Sequence, residues 1–262
     1  MSTRFTPAMT VQGHGSVVVF LHGVGGGKAS YDRQLPIFAA AGYRAAAFDA
    51  PGYGDNPPVD RMDWAGMADA VLAGIDALGV DKVALVGHSM GGMVAQEVAA
   101  RAPDRLWALV LSGTSPAFGN RDGAFQKKFV ADRLGPLDQG HTMRDLARSI
   151  VESLVGPDPD PQGKAAAIAC MSAVPDATYR AAMTNLVTFD RREALAQISV
   201  PTLVLAGEYD SNAPAPMMEK MASRIPGASY RCLAAVGHLS NFERPADFDA
   251  AVLTFLNGIE GR

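Results

Sequence analysis

The sequence predicts an α/β fold: a mostly parallel, doubly wound sheet with helices on both faces. Short apolar runs of about five residues, such as 17–21 and 83–86, are typical of strands that are buried on both faces. Segments with apolar residues at helical spacing lie between these runs, as expected for parallel strands joined by crossover helices. Between Ser112 and Ile198 this alternation stops, and four consecutive helical segments predict an insertion.

Helix-ending glycines and apolar runs place the individual elements. Gly42 and Gly79 end the first two predicted helices, because glycine is favoured just after a helix. Strands are predicted at 17–21, 45–49, 83–86, 107–111, 201–206 and 229–233. Helices of the core are predicted at 31–41, 62–78, 214–224 and 245–257, with one more after Gly91, and helices of the insertion at 124–134, 143–154, 164–174 and 178–187.

The insertion divides the chain into two parts. We expect residues 1–116 and 199–262 to form the core and residues 117–198 to form a helical cap. Ligands of parallel sheets bind at the carboxyl ends of the strands, so the cap is expected to shape a substrate pocket there. Large apolar side chains at helical spacing usually pack against each other, so most of those in the cap are expected to form its own core. The side chains considered for the pocket are Phe118, Phe125, Phe129, Met143, Met171, Met183 and Phe189.

The composition of the 262 residues indicates a soluble globular protein, with 48% hydrophobic and 19% charged residues. Residues 1–15 contain one arginine and no apolar core of a signal peptide, so the expected location is the cytoplasm. With 23 Lys and Arg residues against 27 Asp and Glu, and no basic cluster, neither nucleic acid nor a membrane is expected as a partner.

The two cysteines, Cys170 and Cys232, are far apart in sequence. They fit neither a metal-ligand spacing nor a disulfide framework, so no metal site is predicted from them. Both have apolar neighbours in the sequence, and we expect both to be buried small side chains.

A sharp corner is predicted at Ser89, between the apolar strand at 83–86 and the helix that begins after it. Gly87 and Gly91 stand two residues before and two residues after this serine, where only small residues avoid a collision. The pattern Gly-x-Ser-x-Gly between a strand and a helix is the nucleophile elbow, which exposes the serine hydroxyl. The N–H of Met90 is then expected to point into the same space as an oxyanion donor.

A glycine-rich loop follows the first predicted strand, in the segment 22–27. Its spacing matches neither a dinucleotide-binding fingerprint nor a P-loop, although Lys28 follows the glycines. In an acyl-transfer enzyme the second oxyanion donor belongs in a loop at this position, and we assign it to the N–H of Val24.

A serine hydroxyl needs a base, and the base needs a carboxylate that orients it. His88 is adjacent to Ser89 on a sharp turn, where neighbouring side chains diverge. His238 follows the last predicted strand and is the better base, and Asp210, which we prefer to Glu208, follows the strand before it. The chain order Ser, Asp, His is the order that accompanies this type of elbow.

Four motifs together resemble the α/β-hydrolases: Leu21-His22-Gly23, Gly87-His88-Ser89-Met90-Gly91-Gly92, Gly207-Glu208-Tyr209-Asp210 and Gly237-His238. The resemblance covers roughly residues 16–257. It implies a mostly parallel eight-stranded sheet, a helical cap after the sixth strand, and a catalytic triad that uses neither a metal nor an organic cofactor. About fifteen residues precede Val17, so the family's first hairpin is expected to be short or incomplete.

Within this family, residues 237–245 are similar to 3-oxoadipate enol-lactonases and related small esterases. The leading hypothesis is therefore a serine hydrolase that cleaves a small carboxylic ester or lactone. One alternative is a carbon–carbon bond hydrolase that acts on aromatic meta-cleavage products. Hydrolases of this kind often carry an aromatic residue where this chain has Leu239. Cofactor-free haloperoxidases, which act as perhydrolases, share the motifs too.

Two hypotheses without catalysis also remain, a small-molecule receptor on the same fold and, ranked last, a purely structural or partner-binding protein. The intact triad positions disfavour the receptor, and the sequence has no exposed apolar stripe or charged surface pattern that would favour a structural or partner-binding role. The oligomeric state is left open.

Overall fold

The structure, a computed structural model, describes residues 5–119 and 123–259. Its strands are β1 (Met9–Gly13), β2 (Val17–Leu21), β3 (Arg44–Phe48), β4 (Val83–His88), β5 (Leu106–Ser112), β6 (Thr202–Gly207) and β7 (Ser229–Leu233). Within the described residues they form one seven-stranded sheet in the order β1-β3-β2-β4-β5-β6-β7. Neighbouring strands are parallel throughout except for β1, which pairs with β3 in the antiparallel sense.

Helices cover both faces of this sheet. Those of the core are α1 (Gln34–Ala40), α2 (Trp64–Ala77), α3 (Met90–Arg101), α8 (Ala215–Ala222), α9 (Ser240–Glu243) and α10 (Pro245–Asn257). Those between β5 and β6 are α4 (Ala124–Asp138), α5 (Met143–Leu154), α6 (Pro161–Ser172) and α7 (Asp176–Leu186). The predicted fold class, a mostly parallel α/β sheet with a helical insertion, is confirmed.

Alternate residues of each central strand pack into two different cores. In β2, Val19 belongs to the core shared with α2 and α3, whereas Val18 and Phe20 belong to the core shared with α1 and α10. All three side chains are fully buried, and burying a side chain of this size contributes about 1.5–3 kcal/mol. This double burial explains why the strands are continuous apolar runs.

The sheet has one strand fewer than the eight that the family resemblance implies. The strand at Met9–Gly13 was not predicted, because it is a partly exposed edge strand without an apolar run. Since a single strand stands where the family's first hairpin belongs, the insertion follows the fifth strand of the described chain rather than the sixth. The division into a core at 1–116 and 199–262 and a cap at 117–198 stays a prediction.

The expectation that both cysteines are buried is wrong. Cys232 is exposed because it lies on β7, the other edge of the sheet, and Cys170 on α6 is only partly buried. Among the residues that the structure describes, no helix is long and apolar enough to cross a membrane. The same residues contain no group of three or more His, Cys, Asp or Glu side chains that is arranged to hold a metal ion.

Candidate active site

Ser89 lies at the corner between β4 and α3. Its backbone has φ +52° and ψ −116°, a conformation that residues with a side chain rarely adopt. A Cβ atom at Gly87 would clash with the carbonyl group of Gly91, and one at Gly91 would clash with the carbonyl group of Leu21. The two glycines therefore let the first turn of α3 pack against the ends of β4 and β2, and the serine stands at the tip of the turn.

His238, in the loop after β7, contacts Asp210, in the loop after β6. The Nδ1 atom of His238 lies 2.8 Å from Oδ2 of Asp210. The other carboxylate oxygen of Asp210 accepts the backbone N–H groups of Asn212 at 2.8 Å and Ala213 at 2.9 Å. These contacts occupy both carboxylate oxygens and hold Asp210 in one orientation behind the imidazole.

The charge state of this pair follows from its surroundings. Burial alone raises the pKa of Asp210, but the charge and hydrogen bond of His238 and the two backbone N–H donors outweigh burial and lower the pKa below its usual value. An ionised carboxylate accepts hydrogen bonds only, so Nδ1 of His238 carries the proton and Nε2 keeps its lone pair. A histidine in this tautomer can act as a general base through Nε2.

Two further histidines lie beside the serine. His22 is buried, its Nδ1–H donates to the carbonyl of Gly23 at 2.7 Å, and its Nε2 accepts the N–H of Ala50 at 3.0 Å. Burial and the charge of His238 lower the pKa of His88 to about 3, so this imidazole is neutral at physiological pH. The ring of His88 lies 4.9 Å from the ring of His238. The two remaining histidines, His14 and His141, are exposed.

The two residues assigned as oxyanion donors lie on either side of this corner. Met90 is the first residue of α3, where N–H groups have no acceptor within the helix. The carbonyl of Val24 accepts the hydroxyl of Tyr53 at 3.1 Å, which fixes the peptide group between Val24 and Gly25 in the glycine-rich loop. Within the described part of the chain, no hydrogen bond uses the N–H of Val24. Among the residues that the structure describes, the N–H groups of Val24 and Met90 are therefore both free at this end of the sheet.

Glu243 holds the histidine loop from behind. Its side chain is fully buried and accepts three backbone N–H groups: Gly156 at 2.6 Å, Gly237 at 2.9 Å and Leu239 at 2.8 Å. Two of these donors flank His238, and the third lies in the insertion. The sequence shows the local donors by their spacing but contains no signal for the contact with Gly156.

Ser89 and His238 line one cavity between the core and the insertion. Of the insertion side chains considered for a pocket, Phe129, Met171 and Met183 line it. The others do not: Met143 and Phe189 are buried elsewhere, Phe118 is partly buried and Phe125 is exposed. The core residues lining it are His22, Gly23, Val24, Gly25, Gly26, Ser30, Tyr31, His88, Ser89, Asn212, His238, Leu239, Asn241 and Phe242. The insertion contributes Phe129, Arg133, Ile150, Val151, Leu154, Ala167, Met171, Tyr179, Met183 and Leu186.

Several known proteins that are similar to this chain in sequence or in fold are hydrolases. A 2-hydroxy-6-oxo-6-phenylhexa-2,4-dienoate hydrolase from Burkholderia cepacia is 30% identical over 260 residues, covering 93% of this chain and 88% of the relative. The solved structure of a thermophilic esterase from Thermogutta terrifontis, with malate bound, has a TM-score of 0.86 at 25% identity, over 95% of this chain and 92% of that one. An enol-lactonase from Burkholderia xenovorans LB400 shares the fold, with a TM-score of 0.85 at 23% identity over 95% and 96% of the two chains.

A family model described as alpha/beta hydrolase fold matches residues 16–245, which include every element from β2 to the start of α10. The chain therefore belongs to the α/β hydrolase fold family.

Proposed function

We propose that this protein is a serine hydrolase that cleaves a small carboxylic ester or lactone, with Ser89, His238 and Asp210 as its catalytic triad. The observation that carries the proposal is the 2.8 Å contact between His238 and the buried Asp210, in the cavity that Ser89 also lines. The resemblance to esterases supports the same reaction class.

The reaction begins when Nε2 of His238 takes the proton of the Ser89 hydroxyl as Oγ attacks the ester carbonyl carbon. The carbonyl π electrons move to oxygen, and the N–H groups of Val24 and Met90 stabilise the resulting oxyanion, at about 3 kcal/mol per donor. The tetrahedral intermediate collapses, the bond to the leaving oxygen breaks, and His238 gives its proton to that oxygen. An acyl-serine remains.

Water completes the cycle by the same route. His238 takes a proton from water as the hydroxide oxygen attacks the acyl carbon, and Ser89 leaves with that proton. The carboxylic acid product is released, and for a lactone the acid and the alcohol remain in one molecule. Asp210 stabilises the imidazolium form of His238 in both halves of the cycle.

The test compares the wild type with Ser89→Ala by intact-protein mass spectrometry after exposure to a fluorophosphonate, together with p-nitrophenol release from short acyl esters. We expect one adduct and turnover in the wild type, and neither in Ser89→Ala. Ser149→Ala is the matched control, since this exposed serine on α5 lies outside the cavity and its loss should change neither readout. Full esterase activity of Ser89→Ala would refute the assignment.

A second candidate, carbon–carbon bond hydrolysis of a vinylogous diketone, is favoured by the 30% identity to the dienoate hydrolase. The same triad residues would act on this substrate. Dienol substrates of this kind absorb visible light strongly, so cleavage bleaches the solution. Bleaching of such diketones without turnover of aryl esters would replace the ester proposal, whereas turnover of aryl esters alone would remove this candidate.

A further inference from the structure

The cavity contains one side chain with a permanent charge among the residues described as lining it. Arg133, on α4 of the insertion, is the only Lys, Arg, Asp or Glu in that set. The rest of the insertion's contribution is apolar apart from the hydroxyl of Tyr179. The polar groups around Ser89 come from the core. The cavity therefore combines a polar reaction site from the core with one cationic side chain from the insertion.

Arg133 is held in place without being neutralised. Its guanidinium carbon lies 5.4 Å from the centre of the Phe129 ring, one turn earlier on α4, a cation–π arrangement. Within the described residues, no carboxylate forms an ion pair with Arg133, whereas Arg180 of α7 pairs with Asp138. The charge of Arg133 is therefore available to a ligand in the cavity.

A second donor, the hydroxyl of Tyr179, belongs to a residue that lines the same cavity as Arg133. Burial raises the pKa of this hydroxyl, against a smaller opposing effect of the positive charge of Arg133. Tyr179 therefore stays protonated at neutral pH, so the cavity offers an O–H donor as well as the planar N–H donors of Arg133. A carboxylate, with two acceptor oxygens, suits such a pair of donors.

We propose that Arg133 is a specificity-determining residue that binds a carboxylate on the substrate, so that the preferred substrates are esters or lactones that carry a free carboxylate in addition to the bond that is cleaved. This inference rests on the proposed ester-hydrolase function. A neutral ligand that fills the cavity removes water from the guanidinium and offers it no partner, whereas a carboxylate replaces the lost water with charge-assisted hydrogen bonds. The site therefore favours the anionic ligand.

The test uses pairs of substrates that differ only in the terminal carboxylate. Mono-4-nitrophenyl adipate is compared with 4-nitrophenyl hexanoate, and mono-4-nitrophenyl suberate with 4-nitrophenyl octanoate, by kcat/KM at low ionic strength. Esters of 4-hydroxybenzoate with hexanoic and octanoic acid place the carboxylate on the alcohol side instead. The pair with the largest preference for the anion shows which side of the substrate faces Arg133.

Arg133→Met removes the charge and keeps an apolar stem against Phe129. We expect the ratio of kcat/KM for the preferred anionic ester to kcat/KM for its neutral counterpart to fall about 10-fold or more in this variant. Arg133→Lys keeps the charge but lacks the planar set of N–H donors. Its preference for the anionic ester should lie between that of the wild type and that of Arg133→Met. The matched control is Lys127→Gln, which removes one positive charge from an exposed position on the same helix, outside the cavity.

The outcomes separate this inference from the proposed function. Two results would overturn the role of Arg133 but not the proposed hydrolase function. In the first, the neutral esters turn over and no anionic ester is preferred. In the second, an anionic ester is preferred but Arg133→Met keeps the same preference. An equal loss in Lys127→Gln would assign the effect to the overall field of the protein and would also overturn it. Absence of turnover for every substrate, with no fluorophosphonate adduct on Ser89, would refute the hydrolase itself. Raising the salt to about 0.5 M should reduce the wild-type preference, because it screens the charge.

Discussion

The hydrogen bond between His238 and Asp210 decides which imidazole nitrogen carries the proton. In Asp210→Asn, the side-chain amide can donate to Nδ1, which favours the tautomer with its proton on Nε2. That tautomer cannot accept the proton of Ser89. We therefore expect kcat for a 4-nitrophenyl ester to fall by about 1,000- to 10,000-fold, with little change in the melting temperature.

Glu208→Gln is the control for this substitution. Glu208 is an exposed acid two residues earlier, and its carboxylate accepts the N–H of Ala235 at 2.8 Å. The control should retain its kcat. An Asp210→Asn protein that kept most of its turnover would show that the contact with His238 does not govern the tautomer.

The proximity of Asp210 and His238 could be predicted from the sequence, because each follows a short apolar strand and parallel strands end at one edge of the sheet. Arg133 could not be singled out in this way. Apolar and charged residues are mixed around α4, and only its packing shows that Phe129 and Arg133 are the ones that line the cavity.

At the scale of elements, the turn that ends α5 and the histidine loop are joined back to back. The N–H of His238 donates to the carbonyl of Leu154 at 2.7 Å, and Glu243 binds N–H groups on both sides of this contact. A Cβ atom at Gly237 or Gly156 would clash with the backbone of the other segment. The position of His238 therefore depends on the insertion as well as on the sheet.

Glu243→Gln tests this coupling. Glutamine has one acceptor oxygen and two N–H donors, so it cannot satisfy three backbone N–H groups, and each buried donor left unpaired costs about 1–3 kcal/mol. We expect a lower melting temperature and, at a temperature where both proteins are folded, slower fluorophosphonate labelling of Ser89. The loss of labelling rate at full folding is what a purely structural role would not produce.

Glu152→Gln provides the comparison, since Glu152 is a half-exposed acid on α5 that pairs with Lys164 across the surface. It should label at the wild-type rate. If Glu243→Gln labelled at that rate too, Glu243 would stabilise the loop without positioning His238.

All but one of the described strands could be predicted, but only four elements of the described chain have both boundaries at the predicted residues. These elements are β2, β7, α5 and α10, and each has a glycine or proline within two residues of one end. β1 could not be found, since the segment Met9–Gly13 lies at an edge and its side chains are only partly buried, so burial imposes no pattern on its residues. The exposure of Cys232 could not be predicted for the same reason, because β7 lies at the opposite edge of the sheet.

At the scale of the whole molecule, α10 packs on α1 through a carboxyl group that the fold keeps poorly solvated. Asp249 is 8% exposed, and its Oδ1 has no hydrogen-bond partner within the described residues. Burial raises the pKa of Asp249 from 3.8 to about 6, against the opposing effects of a hydrogen bond from Gln34 and the charge of Arg33. The folded protein therefore binds a proton here that the unfolded chain releases at lower pH.

The sign of the stability change follows from this difference in proton binding. Between pH 3.8 and about 6 the folded state holds more protons at Asp249 than the unfolded state, so this group makes the free energy of unfolding decrease as the pH rises through that window. Asp249→Asn stays neutral at every pH and avoids the loss. Above the window we expect the variant to be more stable than the wild type by about 1–2 kcal/mol, since solvent screens part of the penalty.

Urea unfolding of both proteins at about pH 4 and about pH 8 measures the difference in the free energy of unfolding between the variant and the wild type. The contributions of all other titrating groups cancel in this difference. A difference that is the same at both pH values would show that Asp249 is ionised in the folded protein at no cost, and that the junction of α1 and α10 does not sense pH.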